Sequence, residues 1–155
     1  MQEKEIIKTA QKIEKAGGRL YLVGGAIRDD LLGKKTHDED YCVTGITAEQ
    51  FQKIFPEAHI RGKAFEVFDM YGKEFAIART ESKYGVGHKE FEINTSPNIT
   101  IEQDLARRDI TINSIAKDVL TGRIIDPFNG RKDIENKIIK ATTKAFKEDP
   151  LRVYR

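Results

Sequence analysis

Leu20-Tyr21-Leu22-Val23-Gly24-Gly25-Ala26-Ile27-Arg28-Asp29 is the stretch on which the fold turns. Leu20 to Val23 is a short apolar run with the length of a buried strand. Gly24-Gly25 then turns the chain into a helix over Ala26 to Leu32, which Gly33 ends. Glycines let a backbone approach a ligand closely, and free amides at the start of a helix attract phosphate oxygens. Arg28, one turn in, adds a fixed positive charge. The same residues also suit a plain tight turn followed by a surface arginine, and on this stretch alone both readings stand.

Upstream, Ile6, Ile7, Ala10 and Ile13 recur at helical spacing across Gln2 to Ala16, and Gly17-Gly18 stops the helix. Downstream, Asp38 to Thr44 reads as a second strand. Thr47 caps a helix that ends before Pro56. Phe65 to Met70 and Glu74 to Arg79 flank Tyr71-Gly72-Lys73 as a hairpin. Residues 80 to 98 hold Gly85, Gly87 and Pro97 with little periodicity, which predicts a mobile loop. Thr100 and Gln103 form a capping box for the next helix. Ala116 to Leu120 and Arg123 to Asp126 make a second hairpin around Thr121-Gly122. Helices and strands are interspersed without regular alternation. That pattern predicts an α+β fold, a mixed β-sheet flanked by helices, rather than a doubly wound one.

The chain has 155 residues, 39% hydrophobic and 34% charged. That is one domain with enough apolar residues for a core, which excludes wholesale disorder. Its apolar runs reach only four or five residues, against roughly 20 for a bilayer span, so no membrane association is expected. The N-terminus begins Met-Gln-Glu-Lys-Glu and has no apolar segment of the signal-peptide kind. Cys42 is the single cysteine, so an internal disulfide and a cysteine zinc cluster are excluded, which favours a reducing, cytoplasmic setting. Net charge is +2, but it is unevenly spread. His37 to Ala58 holds five acids against Lys53, whereas Arg131 to Arg155 holds eight bases against four acids. Such runs suit cation and anion binding respectively, or simply solvated surface.

Four constellations carry chemistry, and the glycine turn is the first. The second is Asp38-Glu39-Asp40. On a strand, Asp38 and Asp40 face one way and Glu39 the other. Two converging carboxylates repel unless a cation sits between them, and hard oxygen ligands suit magnesium. An exposed acidic strand end is the alternative. The third is Arg107-Arg108-Asp109-Ile110-Thr111-Ile112-Asn113, a mixture able to grip ribose hydroxyls and phosphates, or else a helix boundary capped by Thr111. The fourth is Glu148-Asp149-Pro150-Leu151-Arg152 with Arg155. If Pro150 opens a helix, Asp149 and Arg152 lie on one side, an acceptor beside a donor. That pair matches the amine and ring-nitrogen edges of cytosine and adenine and mismatches uracil and guanine. The alternative is a surface ion pair of small consequence.

Other patterns are decoys. Gly33-Lys34-Lys35-Thr36 lacks the earlier glycine of a phosphate-binding P-loop, since Arg28 stands there. His37, His59 and His88 have no metal spacing.

The four pieces, in this order, resemble the catalytic head of the class II tRNA nucleotidyltransferases (CCA-adding enzymes) and their bacterial poly(A) polymerase relatives. The resemblance runs over about residues 19 to 155, and Leu31-Leu32-Gly33 and Asp126-Pro127-Phe128-Asn129-Gly130 belong to it. It implies the polymerase-beta-like nucleotidyltransferase fold, with residues 1–145 as head domain and 146–155 beginning a neck helix. It also implies a piece of a longer enzyme, because the family places further helical domains after the head. Asp38 and Asp40 would be the catalytic residues and bind the magnesium ions, with Glu74 a candidate third carboxylate. Gly25 and Arg28 would hold the triphosphate. Arg108, Asp109 and Asn113 would contact the incoming nucleotide. Asp149 and Arg152 would read the base, with Arg155 supporting the same pocket.

The implied reaction adds CCA to the 3′ end of tRNA from CTP and ATP, releasing pyrophosphate. Ala76 to Lys83, followed by Tyr84-Gly85-Val86-Gly87, resembles the tRNA enzymes more than the poly(A) polymerases. Rival readings are a poly(A) polymerase, a split CC-adding or A-adding enzyme, and a non-catalytic nucleotide-binding module.

Overall fold

The structure is a computed structural model that describes residues 2–34, 39–61, 66–83 and 91–142. Helix α1 (Gln2–Lys15) buries Ile6, Ala10 and Ile13 along one face, while Ile7 stays partly exposed at its edge. Glu3 and Glu5 in its first turn and Lys12 and Lys15 in its last match the helix dipole. Strand β1 (Arg19–Val23) and helix α2 (Gly25–Leu31) follow as expected. Strand β2 spans Asp40–Thr44, and Asp38 lies outside the described residues. Helix α3 (Ala48–Ile54) carries a complete capping box between Thr47 and Gln50. Strands β4 (Val67–Met70) and β5 (Lys73–Ile77) form the expected hairpin, tightened to a two-residue turn at Tyr71-Gly72.

Two strand assignments depart from expectation. Strand β3 (His59–Arg61) pairs with β4 at the sheet edge, yet all three of its residues are exposed. Short charged edge strands leave no burial pattern to detect. The region predicted as a loop contains β6 (Arg79–Lys83) and β7 (Phe91–Thr95), paired antiparallel as a separate two-stranded ribbon. Arg79 to Lys83 has no apolar residue, so its strand character comes from its partner rather than from its own pattern. The glycines at 85 and 87 lie outside the described residues.

Helix α4 (Ile101–Ala106) starts with the Thr100/Gln103 capping box. A single 3-10 turn follows at Thr111–Asn113, then strands β8 (Ala116–Asp118) and β9 (Ile124–Ile125), then helix α5 (Gly130–Glu135). Among the described residues the main sheet runs β3-β4-β5-β2-β1-β8-β9. Only β2 and β5 are parallel there, so the mixed sheet is as expected.

Alternation along β2 splits the core in two. Tyr41 and Val43 join Leu20, Phe75 and the residues of α1 and α3 on one face. Phe51 packs there in tilted geometry against Phe55, Phe68 and Phe75 at centroid distances of 4.9, 4.6 and 6.0 Å. Each such aromatic pair adds roughly 0.5–1.5 kcal/mol beyond its area. Cys42 packs on the other face with Val23, Ala116, Ile101 and Leu105 beneath α4. Asp40, two residues from Cys42, therefore projects to the α4 side.

Candidate active site

The register of β1 decides where the chemistry gathers. Val23, its last residue, pairs with Asp40 on one side and Ala116 on the other. The Gly24-Gly25 turn and Asp40 thus meet at one end of the sheet, although fourteen or more positions separate them in sequence. Gly24 adopts φ 72° and ψ −139°, a conformation closed to other residues. A Cβ on Gly24 would lie 3.6 Å from Arg108 Nη1, and one on Gly25 would lie 3.4 Å from Arg28 Nη2. The turn is therefore flanked by two arginines.

These groups line a cleft of about 430 Å³. Gly25, Arg28, Asp40, Arg108, Asp109 and Asn113, all expected at a nucleotide site, are brought together in it. Arg28 Nη1 donates to Asn113 Oδ1 at 3.0 Å, and Asn113 Nδ2 donates to Asp109 Oδ1 at 3.4 Å. Arg28 Nε also donates to Asp29 at 3.2 Å. These bonds fix the guanidinium plane before any ligand arrives. Helix α5 supports the 3-10 turn from behind. Thr111 Oγ1 donates to the buried Asp133 at 2.5 Å, and a Cβ on Gly130 would come within 2.2 Å of the Thr111 carbonyl oxygen. Only glycine lets α5 approach so closely. Ile110 bridges to Ala141, and Thr142 N donates to the Asp109 carbonyl at 3.0 Å.

Arg107, part of the expected Arg-Arg-Asp run, joins the site, and three further residues were not foreseen there: Arg79, Glu81 and Asp104. Arg79, Glu81 and Arg107 also line the cleft. Beneath them Asp104, only 1% exposed, accepts from Arg107 Nη2 at 3.3 Å, Arg108 Nη2 at 3.2 Å and the Arg79 amide at 3.0 Å. The spacing 104, 107, 108 is the i, i+3, i+4 signature of paired charges on a helix face, and it was there to be read. Burial, and next the neighbouring Arg107, pull the Arg79 guanidinium below its ordinary value; Glu81 and Asp104 oppose that shift. Burial, then the charge of Asp104, pushes the Cys42 thiol well up, so it is a neutral core group and no nucleophile.

Glu74 is the register partner of Asp40 on β5 and lies on the same face. Its carboxylate is ion-paired with Arg61, which also holds Asp69 at 2.6 Å. Asp40 and Glu74 share a second cleft of about 510 Å³, so Asp40 stands on the wall between two hollows. Among the described residues no three His, Cys, Asp or Glu side chains converge as a ready metal cluster. Asp40 and Glu74, the acidic register partners at this end of the sheet, offer carboxylate oxygens, which is the chemistry magnesium takes. Asp38, Asp149, Arg152 and Arg155 lie outside the described residues, as do the proposed limits of the head domain at 145 and 146. No helix among the described residues is long and apolar enough to cross a membrane.

The sequence model of the poly A polymerase head domain matches residues 20–140, most of the chain. The chain belongs to the poly A polymerase head domain family. The multifunctional CCA protein of Herminiimonas arsenicoxydans is 48% identical over 141 residues, covering 88% of this chain. The CCA-adding enzyme of Alteromonas mediterranea is 46% identical over 140 residues, with the same coverage. This chain spans 33% and 34% of the length of those two relatives. The crystal structure of the Bacillus stearothermophilus CCA-adding enzyme in complex with CTP superimposes with a TM-score of 0.77 at 33% identity. That likeness covers 98% of this chain and 37% of the other. A tRNA nucleotidyltransferase complexed with a primer tRNA and an incoming ATP analog gives 0.68 at 29% identity, covering 94% and 42%. The mixed sheet with flanking helices is the nucleotidyltransferase fold of these enzymes.

Proposed function

We propose that this head domain is the catalytic part of a cytoplasmic enzyme that adds CCA to tRNA 3′ ends from CTP and ATP without a nucleic-acid template. The observation that carries the reading is the convergence of Gly25, Arg28, Asp40, Arg108, Asp109 and Asn113 in one cleft. The likeness to an enzyme solved with CTP supports it.

In this reading the Gly24-Gly25 turn lets the triphosphate lie against the backbone, and Arg28 meets its charge in an orientation fixed by Asn113. Arg108, Asp109 and Asn113 contact the ribose and phosphates. Asp149 and Arg152, with Arg155 beside them, select cytosine and adenine by their pairing edges. Asp38 and Asp40 would hold magnesium ions, with Glu74 as third carboxylate once released from Arg61. Bound magnesium supplies activation of the attacking hydroxyl and neutralisation of the triphosphate. The tRNA 3′ hydroxyl attacks the α-phosphorus, the bond to the β-phosphate oxygen breaks, and pyrophosphate leaves with its electron pair.

The test uses the complete enzyme and tRNA lacking its terminal trinucleotide, offered labelled CTP, ATP, or both. Cytosine addition from CTP, and adenine only after it, is expected. Asp40→Ala should lower incorporation by at least about 10³-fold while circular dichroism stays unchanged. Runs of adenine from ATP alone would make it a poly(A) polymerase. Addition of one nucleotide type only would make it a split enzyme. ATP binding without turnover would make it a non-catalytic module.

A further inference from the structure

Behind the acidic end of β2, on the face turned away from the cleft, lies an ion pair that nucleotide binding does not use. Glu39 immediately precedes Asp40, and Lys73 immediately precedes Glu74. Asp40 and Glu74 are register partners at the start of β2 and β5; Glu39 lies one residue before β2 and Lys73 opens β5, and both border the hollow on the opposite face as well as the edge of the second cleft that Asp40 and Glu74 line. The Lys73 ammonium is ion-paired with the Glu39 carboxylate, and its side chain is only 7% exposed. Tyr41 Oη donates to the other carboxylate oxygen at 3.3 Å, and the Tyr41 ring stacks on Phe75 at 5.1 Å.

An open hollow of about 410 Å³ lies over this face between α1 and the sheet, bordered by Leu22, Val119 and Lys117. Lys73 is buried and Glu39 half-buried, and an ion pair so placed is seldom the most stabilising choice, since a matched apolar pair often holds two strands as well or better. What it adds is direction. It ties the backbone at residue 39 to that at residue 73, and so sets the carboxylates at 40 and 74. It also neutralises the middle charge of three consecutive acids.

We propose that Glu39 and Lys73 are positioning residues that set the Asp40 and Glu74 carboxylates from the far face of the sheet. The inference rests on the catalytic reading above and adds a role to it.

The test measures Mn²⁺ affinity of the full-length enzyme by electron paramagnetic resonance, with kcat and KM for CTP and the thermal midpoint alongside. Lys73→Met should weaken Mn²⁺ binding and lower kcat by about tenfold or more, in the range seen for groups supporting metal ligands. KM for CTP should change by less than about twofold. The exchanged pair Glu39→Lys with Lys73→Glu should recover both to within about threefold. Should Lys73→Met fold poorly, Glu39→Gln, which keeps an acceptor for Tyr41, should show the same loss in milder form. Unchanged Mn²⁺ affinity in Lys73→Met and Glu39→Gln overturns the proposal. So does an exchanged pair that regains its thermal midpoint but not its metal affinity. Wild-type enzyme that incorporates nucleotide yet loses nothing in the variants refutes only the positioning role; wild-type enzyme that neither binds Mn²⁺ nor incorporates nucleotide refutes the catalytic reading itself.

Discussion

Asp104 shows how one buried carboxylate can organise a whole positive surface. It sits at the base of the cleft and holds Arg107 and Arg108 while anchoring the start of β6 through the Arg79 amide. Without it, three guanidinium groups would face one another with Glu81 left at the side. Removing one partner of a buried charge cluster costs about 3–5 kcal/mol. Asp104→Ala should lose stability on that scale in urea denaturation. Asp104→Asn, which keeps one acceptor oxygen, should lose less, and both should raise KM for CTP. The residue types of the site were legible in the sequence, because the glycine turn and the Arg-Arg-Asp run have few other uses in combination. Asp104 was legible only as one end of an i, i+3, i+4 charge pattern; its burial was not, because an acid among helix residues usually meets water, and only the fold shows that this one does not.

Among the elements, α5 shows how a short helix can be fastened at both ends. Asp126 caps its start, accepting from the Gly130 amide at 2.7 Å and the Arg131 amide at 3.1 Å. Its end is a Schellman motif: Ile138 N donates to the Asp133 carbonyl at 2.8 Å and Lys137 N to the Ile134 carbonyl at 3.2 Å. Lys137 takes the left-handed position, φ 56°, that glycine occupies in most such motifs. A non-glycine residue there costs about 1–2 kcal/mol. Lys137→Gly should therefore stabilise the protein by about 1 kcal/mol, raising the thermal midpoint by roughly 2–4 °C in calorimetry. Elements with their own signal were legible: the Thr47 cap, the Thr100/Gln103 capping box, the apolar stripe of α1 and the β4–β5 hairpin; the Gln50 half of the Thr47 box came from the structure. Strands β3 and β6 were not, since neither has an apolar alternation of its own, and the alternating Phe91 to Thr95 of β7 is lost among the surrounding glycines and polar residues.

At the scale of the molecule, the two cores differ in what they hold away from water. Burial, then the Glu39 charge and the hydrogen bond to it, hold the Tyr41 phenol above its ordinary value of 10.0. The unfolded chain gives up that proton from pH 10 upward while the folded chain keeps it. The unfolded state then binds fewer protons, so stability is full below pH 10 and falls as pH rises beyond it. Cys42 adds a similar loss from its ordinary value of 9.0 upward. Tyr41→Phe should flatten the decline above pH 10, measured as urea midpoints at pH 9 and pH 11. At this scale the α+β class was legible from the irregular order of helices and strands. The strand order was not, because register is a matter of long-range pairing.

That strand order also has a temporal side. β1 is central, yet its second neighbour, β8, begins at Ala116, more than ninety residues further along. As the chain emerges from the ribosome, β1 can pair with β2 early, through residues 40 to 44. Its other edge stays bare until residues 116 to 118 arrive, and a bare apolar edge is where nascent chains stick to one another. The same late arrival closes the sheet beside Val23, at the end where the glycine turn begins. The end of the sheet that carries the glycine turn and Asp40 is thus completed late in the synthesis of this domain.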